Sequence, residues 1–348
     1  MYGNGIKIDA LNTVSWSFVG SNIKKLSFFY ESIKRTFQIP LLGKILRRLF
    51  QTRMLKQVSS EYDFIDIHYF SRNYLSFLHS CNKPFKITVW GSDFYRISKE
   101  EASLKKKIYR KAAIIQVETK KVKADLVDYD RTLENKIRVC NFGIDLIDEM
   151  SKFKGTISKK EGDKIVITCG YNGDIGQQHI KMIDSIKALP KEIRTKLLVY
   201  LPVTYGLSQV HKNEIEGALK DVDFEYRLFV KRLTNEELAI LRIETDIAIN
   251  IQLSDSLSSS LLQHLYAGSI LLLGDWLPHT TYDDNDLFYK RVSIQELTNT
   301  IIECVSNLSN YKEKATQNEQ KVISFASWQS VDKKQCGIYK ELVMNNIN

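Results

Sequence analysis

The sequence predicts an α/β protein of two domains, and three observations carry this. Short apolar runs of strand length alternate with runs of helical period along most of the 348 residues. Near the middle, the polar and aperiodic residues 151–163 interrupt that alternation and read as a linker. On each side of the linker, strands run into glycine-bearing loops, where open α/β sheets bind their ligands. A chain of this length holds two domains of ordinary size, and 43% hydrophobic residues supply real cores.

Composition removes several classes. The five cysteines (Cys81, Cys140, Cys169, Cys304 and Cys336) are scattered and form no C-x-x-C or Cys/His cluster. Neither a disulfide framework nor a zinc site is expected, and a reducing cytosol is. There is no run of 18 apolar residues and no signal-peptide pattern, so a soluble or membrane-face protein is expected. Net charge is +9, and residues 21–56 carry nine lysines and arginines against Glu31 alone.

In order, Ile6–Val14 reads as a strand. Residues 21–56 combine basic and apolar side chains, and Leu41, Leu42, Ile45, Leu46, Leu49 and Phe50 fall on one helical face opposite Lys44, Arg47 and Arg48. Such a helix either lies in the headgroups of an anionic membrane or packs on a core with its basic face solvated. Phe64–Tyr69 and Phe85–Trp90 read as strands around a short helix at 72–81. The second ends in Trp90-Gly91-Ser92-Asp93, where Asp93 either positions an acceptor hydroxyl or caps the next helix. A strand over Ala113–Glu118, a helix over 120–130 and a strand over Lys136–Asn141 complete the first half.

The second half opens with the strand Lys164–Cys169, the loop Gly170-Tyr171-Asn172-Gly173 and a helix bearing Ile180, Ile183 and Leu189. Strand, glycine loop and helix together make phosphate-binding geometry. Leu197–Val203 is a strand ending in the loop Thr204-Tyr205-Gly206. Asp221-Val222-Asp223 spells a D-x-D metal motif, but it sits between a helix and a strand and is discounted. Arg227–Val230 leads to Lys231 and Arg232, placed either to neutralise a leaving diphosphate or simply in solvent.

Residues 246–276 form the most informative stretch. Ile247, Ile249 and Ile251 alternate with Ala248, Asn250 and Gln252 as a strand. A serine-rich turn follows, then a helix bearing Leu261, Leu262, Leu265 and Tyr266, a stop at Gly268 and a buried strand at Ile270–Leu273. The helix start, Ser258, Ser259 and Ser260, offers unpaired N–H groups and a positive dipole end suited to a diphosphate. Residues 294–324 read as helical, and Ser327-Trp328 opens a last helix.

Asp255, seven residues, Gln263, then Ala267 and Gly268 resembles the Glu-x7-Glu donor motif of the GT-B Leloir glycosyltransferases. Both residue types depart from the family, which has glutamates. WGSD followed by Phe94, Tyr95 and Arg96 resembles bacterial surface-polysaccharide transferases of that class, and Asn141-Phe142-Gly143-Ile144-Asp145 matches the turn that often closes their first domain. The resemblance implies two Rossmann-like domains facing a central cleft. These are about 1–150 with a C-terminal crossing helix at 325–348, and 163–324; the first strand of the first domain is short or missing. It implies metal-independent, retaining transfer from a nucleotide-diphospho-sugar, without a further cofactor. The acceptor is a growing glycan, on a polyprenyl lipid at the cytoplasmic membrane face. Asp255 would orient the sugar, Gln263 would accept a ribose hydroxyl, and Asp93 would orient the acceptor. Lys231 or Arg232 would meet the diphosphate, with Gly170, Asn172, Gly173, Tyr205 and the serines lining the donor site. A non-catalytic subunit of the same fold is the alternative. Nucleic-acid binding ranks third, for want of a stacking-aromatic motif.

Overall fold

The computed structural model of the chain describes residues 10–12, 17–19, 49, 52–57, 59–153, 164–255 and 257–344. Most of the basic segment 21–56, Ser256 and residues 154–163 of the expected linker lie outside these. Two compact units are present: residues 1–118, 122–140 and 332–348 form one, and residues 119–121 and 141–331 the other.

The first unit holds a four-stranded parallel sheet in the order β3 (Ile65–His68), β4 (Phe85–Val89), β5 (Ile114–Val117), β6 (Ile137–Val139). Before it, β1 (Ala10–Asn12) and β2 (Ser17–Val19) pair as an antiparallel ribbon. One face of the sheet packs Ile67, Ile87, Val89, Ile115 and Val117 against Phe77, Leu78, Ile108 and Leu126 of the helices. Each such fully buried side chain contributes about 1.5–3 kcal/mol. The other face pairs a small apolar cluster, Ile114 with Cys140, Ile338 and Leu342, with a buried polar network. Lys86 is buried, donates to Thr88 Oγ1 and Gln116 Oε1 at 2.8 Å each, and pairs with Asp66 at 3.0 Å. Asp66 also accepts from the Tyr339 hydroxyl at 2.7 Å. Tyr339, Ile338 and Leu342 belong to helix Trp328–Met344, whose residues from Asp332 onward belong to this unit.

The second unit has six parallel strands in the order β12 (Lys290–Val292), β11 (Ile270–Gly274), β10 (Ile247–Asn250), β7 (Ile165–Cys169), β8 (Leu197–Pro202), β9 (Glu225–Phe229). Parallel strands need crossover helices and are buried on both faces. Ile247, Ile249 and Ile251 accordingly enter one core with Met182, Ile183 and Ile186, while Ala248 enters the opposite core with Leu261, Leu262 and Leu265. The expected linker is corrected at its start. Residues 151–153 finish the helix Asp145–Phe153, which buries Leu146, Ile147 and Met150 in the second core. Residues 294–324, expected to be helical, fall into Leu297–Ser306, Leu308–Thr316 and Asn318–Ala326. Among the described residues no helix is long and apolar enough to cross a membrane.

Candidate functional site at the switch point of the second sheet

From β7 the chain steps outward through β8 and β9 on one side and through β10, β11 and β12 on the other. Neighbours β7 and β10 thus flank a topological switch point, where loops leave a parallel sheet in opposite directions and a crevice opens at the carboxyl ends. The loops that diverge there are 170–174 and 251–258.

Gly170 leaves β7 with φ +67°, and its N–H donates to Ile249 O at 3.0 Å. A Cβ here would meet Gln177 Oε1 at 3.0 Å and His179 Nε2 at 3.1 Å, so glycine is required for conformation and for space. Gly173 brings the loop against the end of β8, its N–H donating to Tyr205 O at 2.7 Å. Asn172 Nδ2 reaches the Tyr205 hydroxyl at 3.4 Å.

Tyr171 and Gln177 tie this loop to the one after β10. The Tyr171 hydroxyl donates to Gln252 Oε1 at 3.0 Å, and Gln177 Nε2 donates to the same oxygen at 2.8 Å. Burial pushes the Tyr171 phenol up to about 12, the Asp255 carboxylate adds to the rise, and hydrogen bonding with Ser258, Gln252 and Gln177 opposes it. Asp255, Ser258 and the Gly170 loop therefore converge on Tyr171. With Gln252 Oε1 doubly engaged, its amide turns Nε2 away, and that nitrogen is buried without a partner. Asn250 Nδ2, two residues earlier, is in the same condition, as is His179 Nε2. Unmade hydrogen bonds of buried groups cost about 1–3 kcal/mol each, so three on the segments that follow β7 and β10 call for an explanation.

His179 opens helix His179–Lys187. Its Nδ1 lies 3.2 Å from His211 Nε2, and His211 Nδ1 lies 2.9 Å from Glu214 Oε2. Burial, reinforced by His211, pushes the His179 imidazole down to about 4, against smaller opposing effects of the Asn172 carbonyl and Asp174. The ring is thereby held in its neutral form, with one nitrogen a donor and the other an acceptor.

The other expected residues fall in three places. Ser258 precedes helix Ser259–Tyr266 and makes no side-chain cap bond, which leaves the N–H groups at the helix start without that partner. Gln263 lies one turn further in, and its Oε1 accepts from Arg242 Nε at 3.2 Å. Lys231 and Arg232 are exposed and follow β9, the edge strand. Three strand spacings, about 14 Å, separate β9 from β10.

Asp93 sits in the first unit and is 2% exposed. Its Oδ2 accepts the Phe70 N–H at 2.8 Å and its Oδ1 the Trp90 N–H at 2.9 Å, while Lys105 holds its carbonyl at 2.7 Å. Burial raises its carboxyl above the usual range despite these bonds. The carboxylate brackets the segments that leave β3 and β4. Of the D-x-D pair, Asp223 has both oxygens taken by Arg194 at 2.6 and 2.7 Å.

Sequence reasoning did not single out Tyr171, Gln177, Asn250, Gln252 or Arg242 for the site. The signal for Asn250 and Gln252 was available: a parallel strand buried on both faces should be continuously apolar, and amides at alternate positions break that rule.

No protein-family model and no curated protein matches the chain. Solved structures do. A glycosyltransferase from Rickettsia africae is 14% identical with a TM-score of 0.65, covering 88% of this chain and 83% of its own. Anabaena HepE in complex with UDP-glucose is 12% identical with a TM-score of 0.65, covering 83% of this chain and 81% of its own. Sucrose-phosphate synthase from Thermosynechococcus elongatus is 13% identical with a TM-score of 0.66, covering 88% and 81%. At these identities the likeness is one of fold, and the chain has a GT-B-like fold of two Rossmann-like α/β units.

Proposed function

We propose that the chain is a glycosyltransferase that moves a sugar from a nucleotide-diphospho-sugar to a glycan acceptor. One observation carries the reading. At the switch point, the buried amide nitrogens of Asn250 and Gln252 stand without partners on the segment that leads to Asp255 and the serine start of a helix. Hydroxyl and phosphate oxygens are the groups that satisfy such donors. The fold supports the reading, since the similar Anabaena protein was solved with UDP-glucose and with UDP.

In this reading Asp255 orients the sugar, and N–H groups at the start of helix Ser259–Tyr266 hold the diphosphate as it leaves. Lys231 and Arg232 contribute at longer range, and Asp93 shapes the strand-end loop of the acceptor unit. Metal-independent transfer with retention is the course the resemblance implies. The acceptor is a growing glycan, lipid-linked at the cytoplasmic membrane face, with the basic segment 21–56 making peripheral contact with anionic lipid.

A thermal-shift screen of nucleoside diphosphates and their sugars tests this. A ligand that binds only the folded protein raises its melting temperature. A rise is expected with at least one nucleotide, and Asn250→Ala should weaken that binding about tenfold while changing stability by less than about 1 kcal/mol. No rise with any nucleotide would move the reading to a non-catalytic subunit that binds glycan or a partner enzyme.

A further inference from the structure

Arg242, in the last turn of helix Asn235–Glu244, is 1% exposed and is one of the largest fully buried side chains of the described protein. A buried charge ordinarily pairs with an opposite one. Among the described residues, no carboxylate forms an ion pair with Arg242. Its two hydrogen-bond partners are Gln263 Oε1, at 3.2 Å from Nε, and His264 Nε2, at 2.8 Å from Nη1.

The donor-only chemistry of arginine settles how both partners are turned. His264 must accept at Nε2, so the imidazole is neutral and its hydrogen is on Nδ1, facing Ser269 Oγ at 3.2 Å. The Ser269 hydroxyl in turn donates to Thr245 O at 3.1 Å. Gln263 must present its carbonyl to the guanidinium. Its amide nitrogen makes no hydrogen bond among the described residues, yet it is not one of the side-chain atoms sealed from solvent. A nine-tenths-buried side chain, 7% exposed, is thus locked with its donor end outward.

We infer that Arg242 is a positioning residue that makes Gln263 a hydrogen-bond donor to the ligand, so that this position selects an acceptor oxygen of a nucleotide rather than a hydroxyl hydrogen. The inference rests on the nucleotide site proposed above. It reverses the role expected from sequence, in which Gln263 accepts from a ribose hydroxyl. The uncompensated guanidinium acts in the same sense, because its positive potential favours an electron-rich oxygen nearby. That oxygen belongs either to a phosphate or to the nucleoside, and the two are separable.

The test is titration calorimetry of wild type, Gln263→Glu and Gln263→Met with UDP, ADP, GDP and dTDP and with the matching nucleosides. In Gln263→Glu the introduced carboxylate would take Arg242 as a two-point ion pair and carry no donor. The melting temperature of that variant should rise while its affinity for the bound nucleotide falls about tenfold or more. Gln263→Met removes the donor without adding charge and should lose affinity to a similar degree. Unchanged or tighter binding by Gln263→Glu, or full affinity in Gln263→Met, overturns the inference and leaves the nucleotide site standing. A wild type that binds none of the eight compounds overturns both. Losses larger for the diphosphates than for the nucleosides assign the oxygen to phosphate; equal losses assign it to the nucleoside, and either supports the donor role.

Discussion

The two units handle buried polarity in opposite ways. At the ends of β3 and β4 in the first unit, the Asp93 carboxylate is filled by two backbone N–H groups and its carbonyl by Lys105. Deeper in that sheet, Lys86 is shared among Asp66, Thr88 and Gln116. Among the sealed atoms of that unit that lack a hydrogen bond, Asp66 Oδ1 and the Tyr109 hydroxyl sit within a strand and a helix and not in a strand-end loop. At the end of β10 in the second unit, Asn250 and Gln252 keep donors that nothing meets. A polar network that closes on itself stabilises a shape. In the function proposed above, the one left open at the switch point meets an arriving ligand.

The largest expected effect breaks the closed network. Asp93→Ala would strand the Phe70 and Trp90 N–H groups, and leaving such groups unsatisfied costs about 2–5 kcal/mol in sum. Urea unfolding measures it, and Asp93→Asn, which keeps one acceptor oxygen, should lose less. If Asp93→Ala were as stable as wild type, the bracket would be idle and Asp93 would return as a candidate for the acceptor. Asn250→Ala is the opposite case, because it removes an unpartnered Nδ2 and only one long acceptance, from the Gln252 N–H at 3.3 Å, and should be seen chiefly in ligand affinity.

A smaller effect sharpens the comparison through pH. His179 is held neutral in the fold down to about 4, whereas the same residue in an unfolded chain takes up a proton near 6.5. Between those values the unfolded state binds more protons, so stability falls as pH falls. From pH 7 to pH 5 this one group should remove about 2 kcal/mol. His264, also held neutral by burial and by Arg242, acts in the same direction. The measurement is therefore the difference between wild type and His179→Gln at the two pH values. That difference should shrink by about 2 kcal/mol toward acid, and a constant difference would place the histidine in contact with solvent.

Much of the architecture was legible in sequence because parallel strands announce themselves as short apolar runs between helical periods. The runs at 85–90, 164–169, 197–203 and 270–273 all became strands within a residue or two. What escaped notice lacked that signal. Strand β12, Lys-Arg-Val, is a short edge strand with only Val292 buried. Arg242 reads as one more charge on an amphipathic helix, and only the fold reveals that it faces inward. The loops at the switch point were legible from their glycines and serines. The tilt of Gln263 was not, since a spacing gives a position and says nothing of which end of an amide faces the ligand.

Lys231 and Arg232 give the smallest expected effect and the most pointed test of where the site lies. Both are exposed and follow the edge strand, two spacings from β7 and three from β10. A long cationic side chain at such a distance acts through solvent and is screened over about 8 Å at physiological salt. Alanine at either position should change stability by less than about 0.5 kcal/mol and nucleotide affinity by no more than about twofold, with the difference vanishing as salt is raised. The decisive measurement is turnover against salt. A fall of about a hundredfold or more in kcat that persists at high salt would require direct contact with the departing diphosphate. The edge of the sheet would then take part in the chemistry, and the open network at the switch point would be a secondary feature of the site.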